Sequence, residues 1–87
     1  MESKLKPEFT FNESAFKHGV TEDDIKSALE TFVFEGAIED EDEKLLVIGF
    51  DTNGNLLEVM YNITEENIGN IFHAMKCRKQ FMGLIER

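Results

Sequence analysis

The chain holds two histidines, His18 next to Lys17 and His73 three residues before Lys76. An imidazole changes charge near neutral pH, so it can take and return a proton within one reaction. In His73-Ala74-Met75-Lys76-Cys77-Arg78-Lys79 the imidazole lies within a few residues of three cations. That combination can hold a phosphodiester and move its proton. The same residues also fit a solvated basic helix end with one half-buried histidine. Lys17-His18-Gly19-Val20 supplies a second cation and imidazole. There His18 and Gly19 equally suit a helix terminus, His at the negative end of the dipole and Gly in the left-handed cap.

Other chemistries find less support. The distant histidines and single Cys77 give no ligand spacing for a metal, and no cofactor is expected. Asp51-x-Asn53-x-Asn55 begins like a calcium loop, but Leu56 stands where that loop requires glycine. Neither a glycine-rich phosphate loop nor a Ser/His/Asp motif is present. One cysteine allows no internal disulfide, which fits a reducing cytoplasm. No apolar run approaches the roughly 18 residues of a membrane span, so a cytoplasmic protein without membrane contact is expected. The net charge is −9, from 18 acidic and 9 basic residues. Phosphate backbones repel such a chain unless its cations share one surface. Glu39 to Glu43 is an unbroken acidic run of the kind usually found in solvated loops, whereas Lys76, Arg78, Lys79 and Arg87 make the C-terminus the basic exception.

Positioning these groups requires a fold. At 87 residues the chain has room for one core, so residues 1–87 are expected to form a single domain, with 1–8 flexible. The 41% apolar content, with eight Phe, is globular. Phe9-Thr10-Phe11 alternates like a short strand, and Asn12 can cap a short helix ending near Gly19. Thr21-Glu22-Asp23-Asp24 is a helix start, and Ile25, Ala28, Leu29 and Phe32 mark one apolar face running to about Phe32. Lys44 to Phe50 reads as a strand, Asn53-Gly54 as a hairpin turn, and Leu56 to Ile63 as the return strand. In that strand Leu57, Val59, Tyr61 and Ile63 share one face, with Glu58 and Asn62 on a partly wet face. Asn67 to Met75 reads as a further strand after Thr64-Glu65-Glu66. A helix from Thr64 is the alternative, with Ile68, Ile71 and Phe72 at helical spacing. Cys77, Phe81, Leu84 and Ile85 predict a closing amphipathic helix to Arg87.

Taken in order, Phe9-Thr10-Phe11, Phe16-Lys17-His18-Gly19-Val20, the Thr21-capped helix, the Leu45–Phe50 strand, the Asn53-Gly54 turn with Leu56-Leu57-Glu58-Val59, and the His73 junction resemble the BrnT family of RelE-like ribonuclease toxins. The resemblance spans about residues 9 to 86, and its most distinctive word is Lys-His-Gly-Val. It implies an α+β fold, with two N-terminal helices and a C-terminal helix packed on a small antiparallel sheet of three to four strands. It also implies the toxin of a bacterial toxin–antitoxin module, cleaving messenger RNA and inhibited by a small antitoxin. Two features depart from the family: His73-Ala74-Met75 replaces its usual Ser-Ala-Arg-like triplet, and the chain is acidic where such ribonucleases are basic.

The expected site therefore has His73, or else His18, exchanging protons, with Arg78 in the catalytic group. Lys17, Lys76 and Lys79 would hold RNA phosphates, no metal taking part. The competing expectation is a non-catalytic module on the same fold whose acidic loop contacts a basic protein. The sequence leaves oligomeric state open.

Overall fold

The computed structural model describes residues 8–38 and 43–85. The first six residues of the expected flexible N-terminus, with Pro7, lie outside them, as do Glu39 to Asp42 of the acidic run and Arg87. Glu8 opens a strand, β1 (Glu8–Phe11). A 3-10 helix follows at Glu13–Phe16, capped by Asn12, whose side chain accepts the Ser14 N–H at 2.9 Å. Gly19 then takes φ +84°, the left-handed geometry that ends the turn.

The main helix, α1 (Glu22–Glu30), begins at Thr21, whose hydroxyl oxygen accepts the Asp24 N–H at 3.1 Å. Glu22, Asp23 and Asp24 place three acids at the positive end of its dipole. Ile25 and Ala28 bury its inner face. Thr31 ends it, donating its hydroxyl back to the Ser27 carbonyl at 2.8 Å.

Four strands then run as an antiparallel meander: β2 (Phe34–Ala37), β3 (Lys44–Phe50), β4 (Leu56–Ile63) and β5 (Ile68–Lys76). The β3–β4 turn is tied by Asp51, whose Oδ1 accepts the N–H groups of Asn53 and Asn55 at 2.8 Å, while Gly54 supplies φ +85°. β1 returns to pair parallel with the first half of β5, Glu8 opposite Ile68 through Phe11 opposite Ile71. The sheet is thus mixed, in the order β1-β5-β4-β3-β2.

One sheet face carries Val47, Leu57, Val59, Tyr61, Ile71 and Ala74 against Ala15, Ile25 and Ala28. Gly49 brings α1 down onto β3, for a side chain there would overlap the Ala28 carbonyl. The opposite face carries Leu46, Ile48, Glu58, Met60 and His73. A bulge shifts the β4–β5 register: Tyr61 faces Ile71 but Met60 faces His73, leaving Phe72 unopposed.

The expected fold is therefore corrected. The sheet has five strands, not three or four, and one pairing is parallel. The expected first helix is a single 3-10 turn, because Gly19 stops it and the Ser14 hydroxyl is drawn to the Phe72 carbonyl at 2.7 Å. The second helix ends at Glu30, and Phe34-Glu35-Gly36-Ala37 becomes strand by pairing with β3, which its own sequence does not announce. The long C-terminal helix shrinks to α2 (Lys79–Met82). Its first cap position is Arg78, whose side chain has no acceptor to offer the helix N–H groups and is engaged with Glu58. Residues 67–75 follow the strand reading, with Asn67 at φ +64° making the turn before Ile68.

Candidate active site around Glu58

Glu58 sits in the middle of β4 between apolar neighbours, and none of its surface is exposed. Its carboxylate is nevertheless fully used. Oε1 accepts the Arg78 backbone N–H at 2.9 Å and the Arg78 Nε at 3.1 Å. Oε2 accepts Arg78 Nη2 at 2.6 Å and Nε at 3.0 Å, and lies 2.8 Å from His73 Nε2. The bulge makes this possible, since it sets His73 on the Glu58 face while keeping both Ile71 and Ala74 against the helix.

Burial alone raises the Glu58 carboxyl pKa, but the hydrogen bonds from the Arg78 side chain and backbone and from His73, with the Arg78 charge, outweigh it and hold the group below the usual Glu range. It is an anion at neutral pH. A carboxylate can only accept, so His73 Nε2 carries the hydrogen and Nδ1 is left to act as a base. Arg78 Nη1 makes no bond to Glu58 and remains able to meet an oxyanion.

The His18 ring stands edge-on to the His73 ring, with centroids 5.6 Å apart and planes at 75°. β1 stops opposite Ile71, where the Asn12 N–H still reaches the Ile71 carbonyl at 2.8 Å. The chain then turns away through the 3-10 helix, so the outer side of β5 beyond that point is where His18 arrives. Beside this group a cavity of about 280 Å³ is lined by Lys44, Met60, Phe72, Arg78 and Phe81. Arg78 Cζ lies 5.5 Å from the centre of the Phe81 ring, and Lys44 Nζ 5.5 Å from that of Phe72.

Of the residues expected at the site, the fold brings together His73, Arg78 and His18. It does not assemble the lysines. Lys76 pairs with Leu57 and by alternation belongs to the helix face, opposite His73. Lys17 and Lys79 are exposed at the end of the 3-10 turn and the start of α2, and neither bonds to the Glu58 group. Glu58, which organises the group, was expected on a partly wet face. The available signal was one acid inside Leu56-Leu57-Glu58-Val59-Met60, with cations available on the next strand.

Cys77 is half-buried, and burial, with the nearby Glu58 charge, pushes its thiol pKa up, away from thiolate chemistry. Among the described residues no group of three or more His, Cys, Asp and Glu could hold a metal ion. Nor is any described helix long and apolar enough to cross a membrane. No protein-family model, curated protein or solved structure matches the chain.

Proposed function

We propose that the chain is a toxin-type endoribonuclease that uses paired imidazoles, without metal, on single-stranded messenger RNA, and that a small antitoxin protein restrains it. The observation carrying this reading is the edge-on approach of His18 to a His73 whose tautomer Glu58 fixes. His73 Nδ1 takes the proton of a ribose 2′-hydroxyl, and that oxygen bonds to the adjacent phosphorus. The bond from phosphorus to the 5′-oxygen breaks, and protonated His18 gives that oxygen its proton. Arg78 Nη1 stabilises the charge building on the phosphoryl oxygens. The products are a 2′,3′-cyclic phosphate and a 5′-hydroxyl.

The test is cleavage of a defined RNA by the purified chain, with the new ends identified. His18→Ala is exposed and leaves the fold intact; it should slow cleavage about 100-fold. Equal rates in His18→Ala and the parent would reject the mechanism. A second reading, a binding module without chemistry, is favoured by the −9 charge and by the apolar surface at Phe32, Val33 and Phe50.

A further inference from the structure

The sheet face turned away from α1 carries two cavities, one of about 280 Å³ and one of about 390 Å³. Ile38, Gln80 and Phe81 line both, so the two form one trough. Its floor passes from Met60 on β4 to Leu46, the residue opposite it on β3. It continues to Phe34 on β2, whose ring lies over Gly36, the next partner of Leu46, 2.9 Å from where a Cβ would stand. Gln80, Phe81 and Leu84, from α2 and the turn after it, form the facing wall. The trough therefore crosses the strands: Phe72 lies on β5 and Phe34 on β2, three strand spacings apart, or about 14 Å.

Charge is confined to one end of it. Lys44 and Arg78 line the cavity nearer β5, and among the described residues lining either cavity there is no Asp or Glu. Glu58 offsets the Arg78 charge from beneath, yet Nη1 lies outside that pair and the side chain is 42% exposed. Both cations are seated on the aromatic walls, Lys44 over Phe72 and Arg78 over Phe81. Beyond Phe81 the lining is apolar except for Gln80. An apolar trough with a few polar groups converging at one end is the usual form of a small-molecule site.

We infer that the trough binds the anion of a medium-chain fatty acid, its carboxylate on Arg78 Nη1 and Lys44 and its alkyl tail running past Phe81 toward Phe34 and Leu84. The carboxylate accepts charge-assisted hydrogen bonds from the two cations. The tail removes its methylenes from water against walls that ask for almost no hydrogen bonds in return. A peptide or a sugar does not fit, for its own donors and acceptors would face those walls unpaired. An extended medium-chain acyl group matches the span from β5 to β2. Neither imidazole takes part and no RNA is needed, so the inference stands independently of the ribonuclease reading.

The probes are hexanoate, octanoate and decanoate, with decanol as the uncharged twin of decanoate. Each is titrated into the full chain at neutral pH, with affinity read by calorimetry and location by NMR. Affinity should rise about threefold for each added methylene. Decanoate should bind about tenfold more tightly than decanol. Shift changes should centre on Leu46, Met60 and Phe81. Lys44→Gln should weaken decanoate binding about fivefold. Leu84→Asn, at a half-buried position beyond α2, should flatten the dependence on chain length. The absence of saturable decanoate binding, equal affinity for decanol and decanoate, or equal affinity for the three acids would each overturn the inference. So would indifference to both variants, or shifts centred instead on the exposed Phe32, Val33 and Phe50.

Discussion

Arg78 lies side-on to Glu58, Nη2 at 2.6 Å and Nε at 3.0 Å from the same carboxylate oxygen, while its backbone N–H takes the other oxygen at 2.9 Å. The pair is asymmetric: the Glu58 side chain is wholly buried, but that of Arg78 is 42% exposed. Solvent therefore screens one partner, and the cost of breaking the pair falls below that of a fully buried one. Glu58→Gln keeps the volume and removes the charge. It should lower stability by about 2 kcal/mol in urea unfolding.

The same pair sets an acid limit. The folded Glu58 pKa lies below the unfolded value near 4.5, so its stabilisation is complete above that value. As pH falls toward the folded pKa, the unfolded chain binds the proton first and stability declines. Asp24 acts in the same direction. Hydrogen bonds from the Thr52 hydroxyl and N–H, and from the Thr21 hydroxyl, lower its pKa from 3.8 to about 2. Thermal melts from pH 5 downward should lose stability across these windows, with a shallower loss in Asp24→Asn. A parallel slope in that variant would count against the Thr52 clamp.

Gly49→Ala should cost about 3 kcal/mol, because its methyl must push the Ala28 carbonyl and with it α1 off the sheet. Gly54 is different, with open space around it, so the cost of substitution there is its φ of +85° alone. Denaturant midpoints of the two alanine variants separate crowding from backbone strain.

The Tyr61 hydroxyl donates to Glu35 Oε2 at 2.6 Å, linking β4 to β2 across β3. Burial, followed by that bond and the Glu35 charge, moves the phenol pKa well above 10.0. The unfolded tyrosine ionises first on an alkaline titration, so this contribution is lost as pH rises beyond its unfolded value. Ultraviolet titration should show phenolate only with unfolding. Tyr61→Phe should cost about 1 kcal/mol and remove that coupling.

Much of the fold was legible where local chemistry decides. Thr21 and its acids mark the start of α1, and Asp51 with Gly54 fixes the hairpin. The faces of β4 follow from alternation, as Leu57, Val59 and Tyr61 show. β2 was not legible, because four residues with a central glycine are made a strand by their neighbour. The parallel return of β1 depends on pairing more than fifty residues away, which no local pattern encodes. At the site, imidazole and guanidinium drew attention by type, and His18, His73 and Arg78 did converge. Glu58 was read as wet because an acid in a half-covered strand ordinarily faces water. Its burial is intelligible only once Arg78 is known to return over the same strand.

The unopposed Phe72 gives β5 two grammars on one strand. Before it, odd-numbered positions meet the helix; after it, even-numbered ones do, as Ile71 and Ala74 illustrate. Loss of a single residue there would merge the two phases. Everything downstream would keep its side, the imidazole still opposite Met60 and the small methyl of Ala74 still opposite Val59. The offset thus stores one surplus residue in the strand's count, and the placing of its side chains would survive the loss of that residue but not the straightening of the strand around it.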